Sequence, residues 1–178
     1  MASVGHLAVG LAAARLWRPP ARISPGLWAS GLGVASLLPD LDLIGFAAGV
    51  PYAAPFGHRG ALHSLIFAAL CGLVVGLVSA WCRSEGSRVG LIFAIVTGSH
   101  GFLDSLTTGG LGIALLWPFS DQRFFAPWRF IPVAPLGPRL LAPAGLELML
   151  KEAVLFLPLF VGAVLLSHRR PMHTECGR

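Results

Sequence analysis

The chain has 178 residues, 55% of them hydrophobic and 12% charged, with a mean hydropathy of +0.75. A soluble domain carries roughly 25% charge, so this composition excludes an ordinary soluble fold and points to one integral membrane domain of helices that satisfy their own backbone. The formal net charge of +5 is almost wholly arginine; the arginines flank apolar runs, which marks them as topology signals and headgroup contacts and argues against a nucleic-acid surface.

The first apolar run is Val4 to Trp17, with His6 near its start. No Lys or Arg precedes it, which favours an uncleaved helix over a secretory signal. Arg15, Arg18 and Arg22, with Pro19, Pro20 and Pro25, form a basic, helix-breaking connection. The second run, Gly26 to about Val50, contains Leu38-Pro39-Asp40-Leu41-Asp42. Pro39 is expected to kink or end that helix, leaving Asp40 and Asp42 on a turn. Irregular backbone at that depth is tolerated only beside a cavity.

After a loop at 51–57, His58-Arg59-Gly60-Ala61-Leu62-His63-Ser64 opens the third run, Ala61 to Trp81. His58 and His63 do not share a helix face at this spacing. With His58 in the loop and His63 in the first helical turn, both can face one cavity. A polar loop at 83–88 leads to the fourth run, Val89 to about Leu106, which carries His100 and Asp104. A spacing of four puts this pair on one helix face. Both side chains are costly in an apolar helix, and such residues are functional candidates by default.

Thr107 to Gly110 reads as a helix terminus, and Leu111 to Trp117 as a short interfacial piece. The segment 121–144, rich in Pro, Arg and aromatic residues, suits the headgroup zone. A last apolar helix runs from about Leu146 to Ser167, and 169–178 reads as a disordered basic tail. Cys71, Cys82 and Cys176 are odd in number and lack C-x-x-C spacing, so no disulfide framework or thiolate metal site is expected. The expected fold is all-α, one domain over 1–168, a bundle of about four to five membrane-embedded helices.

Because consecutive spans alternate in direction, His6, Asp40, Asp42, His58, His63, His100 and Asp104 all fall on one side of the bilayer. Arg15, Arg18, Arg22, Arg83, Arg88, Arg169 and Arg170 fall on the other. The positive-inside rule makes that other side cytoplasmic, so the His/Asp side faces the periplasm or cell exterior. Arg123, Arg129 and Arg139 run against this bias. Imidazole nitrogen and carboxylate oxygen suit Zn²⁺, or Mn²⁺ or Fe²⁺, as one or two ions. The expected chemistry is hydrolysis of a phosphoester or lipid-linked substrate by metal-activated water, which Asp42 orients while Arg59 steadies the anion. Neither Gly-x-Ser-x-Gly nor a Walker A loop occurs. The competing readings are a structural membrane protein, held together by interhelical polar contacts, and a metal transporter or sensor. The latter needs polar residues continuing to the far side, which the third and fifth runs barely supply.

His6, Leu-Pro-Asp-Leu-Asp (38–42), His-Arg-Gly-x-x-His-Ser (58–64), His-Gly-x-Leu-Asp-x-x-Thr-x-Gly-Gly (100–110) and Trp-Pro-Phe-Ser (117–120) together resemble the YdjM-like family of bacterial inner-membrane, metal-dependent hydrolases. The resemblance spans about residues 1–135. It implies a multi-pass inner-membrane hydrolase with the matching His and Asp residues as metal ligands. The order His, Asp, His, His-x-x-x-Asp is also similar to zinc-dependent phospholipase C and related single-strand nucleases. Their downstream His-x-x-x-Asp/Glu pair has no counterpart, since Glu147 and Glu152 lack a neighbouring His. This favours one or two ions over three.

Overall fold

The structure is a computed structural model that describes residues 3–82, 84–133, 135 and 140–168. The tail 169–178 and the arginines at 83 and 139 lie outside the described residues. The helices are α1 (Ser3–Leu16), α2 (Pro25–Leu37), α3 (Asp42–Ala47), α4 (Leu65–Trp81), α5 (Gly86–Ser105) and α6 (Pro143–His168). The fold is all-α. Among the described residues there is no strand, only two isolated backbone pairs, Thr107 with Ile131 and Ile113 with Phe124.

Local chemistry sets the helix ends. Ser24 caps α2 by accepting from the Leu27 N–H, with Pro25 in the first turn where its missing N–H costs nothing. Ser64 caps α4 in the same way through Phe67 N–H. That cap starts α4 at Leu65, later than the apolar run suggests, and leaves His63 in a separate 3-10 turn, Ala61–His63. Pro39 acts as expected. The α-helix stops at Leu37, a 3-10 turn covers Leu38–Leu41, and α3 begins at Asp42.

α1 lies between α2 and α6, and α5 between α2 and α4, with α1 and α5 also in contact. The α4–α5 hairpin is close because small residues face each other. A Cβ on Gly90 would lie 2.7 Å from the Gly72 carbonyl oxygen. The apolar core, including Trp28, Leu32, Val89, Ile92 and Val96, fills the half of the bundle near the α1–α2 and α4–α5 connections. The other end is polar inside. The outward faces of α4 and α6 are apolar and exposed, as at Leu70, Leu73, Leu77, Leu150, Leu157 and Leu165. This inverts the pattern of a soluble bundle and suits a hydrocarbon solvent. Two stretches, Pro25–Ala47 and Pro143–His168, are long and apolar enough to cross a membrane; α1 and α4 are apolar but shorter.

α6 is tied to α1 by a polar contact that the sequence did not announce. Glu152, 1% exposed, accepts a 3.1 Å hydrogen bond from the Val4 N–H in the first turn of α1. α1 has no acidic residue in its own first turn, so α6 supplies the anion that helix start favours. Glu152→Ala should lower unfolding stability in detergent by about 1–3 kcal/mol, while Glu152→Gln, which keeps an acceptor, should lose less. Thermal melts followed by circular dichroism check this; equal losses in the two variants would contradict the capping role.

Candidate metal centre

Six of the seven sequence-selected His and Asp residues converge with their ligating atoms turned toward one another. His6 comes from the first turns of α1, and Asp40 from the 3-10 turn that Pro39 forces. His58 comes from the loop before α4, His63 from the turn ahead of Ser64, and His100 and Asp104 from α5. Three triads have one ligating atom per residue within 4.8 Å of each other: His6, Asp40 and His100; Asp40, His58 and His63; His63, His100 and Asp104. The triads share members, so they form one continuous cluster. Its residues are buried, Asp40 being the least so.

Asp104 is the hub. His6 Nε2 is 3.3 Å from Oδ1, while Arg59 Nε is 3.0 Å, His63 Nε2 3.4 Å and His100 Nε2 4.0 Å from Oδ2. Asp40 approaches from the other side, with Oδ1 3.5 Å from His100 Nε2 and 3.8 Å from His63 Nε2. The His6 and His100 rings stack at 3.6 Å.

Asp42 sits behind the imidazoles. Its Oδ1 accepts a 2.7 Å bond from His58 Nδ1, and its Oδ2 lies 3.1 Å from His63 Nδ1 and accepts from the Arg59 backbone N–H. His100 Nδ1 likewise donates, at 2.7 Å, to the Ser36 carbonyl in the last turn of α2. These contacts leave Nε2 of His58 and His100 as the available atoms, the arrangement in which an outer acceptor fixes the tautomer of a metal-binding His.

Arg59 is fully buried at φ +64°. Besides Asp104 it donates through Nη1 to the Gly109 carbonyl at 2.9 Å, and its Nη2 makes no hydrogen bond among the described residues. The turn after α5 is shaped around it. Gly110 adopts φ +91°, and a Cβ there would lie 2.8 Å from Arg59 Nη1 and 2.9 Å from the Tyr52 hydroxyl. A glycine therefore serves both the backbone and the close approach. Gly101, one residue beyond His100 in α5, serves the close approach alone, since a Cβ would meet the His63 carbonyl at 2.7 Å.

Sequence reasoning missed three contributors. Tyr52 reaches the Gly110 turn, and its ring packs edge-on against His58. Arg123, expected in the headgroup zone, donates to the carbonyls of His58, Tyr52 and Ala54 and pins the His58 loop. The segment 107–133 closes over the cluster: Thr108 N–H bonds to Ile131, Ala126 to Ser105, and Ile113 pairs with Phe124. Arginine and tyrosine in an apolar segment were the available signals, but they did not say which carbonyls they reach.

The residues fit a cation. Both oxygens of Asp40, Nε2 of His63 and Nε2 of His100 are buried without a hydrogen bond among the described residues. Buried polar atoms are normally satisfied, so a concentration of exceptions in one place needs an explanation, and nitrogen with carboxylate oxygen is a divalent-metal donor set. Burial pushes the His63 imidazole down, but the Asp104 and Asp42 carboxylates outweigh it and hold the ring up to about 9 against an ordinary 6.5.

The profile of the YdjM inner membrane protein family matches residues 1–174. The chain belongs to that family. Inner membrane protein YbcI of Escherichia coli (strain K12) is 42% identical over 132 residues, covering 73% of this chain and 76% of the relative. Inner membrane protein YdjM of the same strain is 29% identical over 188 residues, covering 96% of this chain and 85% of the relative, and YdjM of Shigella flexneri matches equally. No solved structure matches this chain. The names place the family in the bacterial inner membrane, where the exposed apolar faces of α4 and α6 find their solvent.

In this family member the raised His63 value has a sign that can be read. A charged His63 stabilises the fold in full below its unfolded value of 6.5, and that contribution is lost as pH rises through about 9. Chelator-treated protein should therefore melt at progressively lower temperature between about pH 7 and about pH 10, and His63→Ala should flatten that slope. A level profile in the unsubstituted protein would contradict the pairing of His63 with Asp104 and Asp42.

Proposed function

We propose that this protein is a membrane-bound hydrolase that uses one or two divalent ions, Zn²⁺ first, to cleave a phosphoester or lipid-linked substrate. The observation that carries the reading is the cluster itself: buried imidazole and carboxylate groups from four stretches of chain brought within 4.8 Å of one another, with both oxygens of Asp40 and Nε2 of His63 and of His100 making no hydrogen bond among the described residues.

His6, Asp40, His58, His63, His100 and Asp104 would hold the metal. A bound divalent ion supplies a Lewis acid and lowers the pKa of a water. The other groups prepare the site. Asp42 fixes the rings of His58 and His63. Arg59 balances Asp104, and its unused Nη2 edge is a donor for an anionic oxygen of the substrate. This adds to the role expected of Arg59, because most of its donors serve the protein. Burial keeps bulk water from competing for these charges.

A lipid-linked substrate is favoured by the surroundings. Phe56, Phe119, Trp128 and Phe130, on the loops around the cluster, are all exposed, as befits segments at headgroup depth. In this reading the helices α1, α2, α4, α5 and α6 are membrane-embedded, and the arginine-rich end is cytoplasmic. The cluster then opens toward the periplasm. The structural reading keeps one observation of its own: His6 pairs with Asp104 and His58 with Asp42, contacts that also hold α1 to α5 and the loop before α4 to α3.

Metal analysis separates the two. Detergent-purified protein should carry one to two equivalents of a divalent metal, and His100→Ala and Asp104→Ala should lose most of it. Hydrolysis of phospholipid and simple phosphodiester substrates should fall by about 10² or more in Asp104→Ala and stop with chelator. A protein that binds no stoichiometric metal, or whose metal content survives both substitutions, sinks the proposal.

A further inference from the structure

The end of the bundle away from the cluster holds a second feature, independent of the metal reading. A cavity of about 560 Å³ opens between α2, α4 and α5, walled by Ile23, Trp28, Val75, Val89 and Phe93. It lies where the α1–α2 and α4–α5 connections meet, tied together by Arg88 donating to the Arg18 carbonyl. Its size is within the range of cavities that hold small organic ligands.

One polar atom in its wall stands out. Ser79 is only 8% exposed, yet its Oγ makes no hydrogen bond among the described residues. Four buried or half-buried helix serines behave differently. Ser36, Ser99, Ser105 and Ser167 each donate at 2.6–2.7 Å to the carbonyl three residues back. A buried hydroxyl without a partner is unfavourable, and this one lines the cavity. At the mouth, Arg22 is exposed and has no ion-pair partner among the described residues, whereas Arg88 is engaged by Glu85.

An apolar cavity, a buried hydroxyl without a partner on its wall and a guanidinium without an ion-pair partner among the described residues at its mouth match the three parts of a glycerophospholipid. We infer that this cavity binds one anionic glycerophospholipid, its acyl chain among Trp28, Val75 and Phe93, its ester carbonyl accepting from Ser79, and its phosphate on Arg22. The charge commits the occupant. Arginine beside the bilayer attracts anionic headgroups, and a zwitterionic lipid offers the same chains and esters with no net charge.

Native mass spectrometry of the full chain in detergent, with phosphatidylglycerol or phosphatidylcholine added, tests this. One phosphatidylglycerol should be retained per chain, about tenfold more strongly than phosphatidylcholine, and Arg22→Gln should remove that preference. Val75→Trp should fill the cavity and abolish retention of both lipids. Ser79→Ala should weaken retention a few-fold without changing the preference. Arg22 is exposed, so its variant should fold whatever Val75→Trp does. Equal retention of the two lipids by the unsubstituted protein, unchanged retention in Arg22→Gln, or displacement of the lipid by inorganic phosphate alone would overturn the assignment.

Discussion

Asp104 is a wholly buried carboxylate near the end of an apolar helix, and the polar half of this protein is arranged around that fact. Its two oxygens draw His6 from α1, Arg59 and His63 from the α3–α4 connection, and His100 from one turn earlier on α5. A buried charge that loses a partner costs about 3–5 kcal/mol. Each of these segments is therefore held to the others by electrostatics as well as by packing. The supporting contacts follow: Asp42 behind His58 and His63, the Ser36 carbonyl behind His100, the Gly109 carbonyl behind Arg59.

The two ends of the bundle use different physics. At one end Trp28, Leu32, Val89 and Val96 pack an apolar core, and glycines let α4 and α5 approach backbone to backbone. At the other, ionisable side chains replace that core, and the long segment 107–133 closes over them through backbone hydrogen bonds to Ser105 and Leu106. In a hydrocarbon solvent a polar interior gains little by merely holding helices together. The oxygens of Asp40 and the Nε2 atoms of His63 and His100, which make no hydrogen bond among the described residues, fit the proposed metal better than a scaffolding role.

Much of this was legible in the sequence, for reasons that mark its limits. The spacing of His100 and Asp104 fixes their common face because a helix has one period. Pro39 announces a break because it lacks an N–H. The alternation of spans collects the His and Asp residues at one end without any knowledge of packing. Rotation about helix axes and the path of the loops are not encoded in spacing. The turning of Asp42 toward two Nδ1 atoms, the burial of Arg59 against Asp104, and the reach of Tyr52 and Arg123 therefore emerge only in three dimensions. Glu152 is the sharpest case. It lacks a His neighbour in sequence and so carries no signal there, yet it caps α1 from 148 residues away and so helps to fix His6.

The central claim is that imidazoles and carboxylates of this cluster share a divalent metal. X-ray absorption spectroscopy of zinc-loaded, detergent-purified protein tests it most directly. The account predicts a first shell of nitrogen and oxygen alone at about 2.0–2.2 Å, with imidazole outer-shell scattering that weakens in His100→Ala. Sulfur ligation at about 2.3 Å, or a spectrum of hydrated zinc with no imidazole signal, would contradict it.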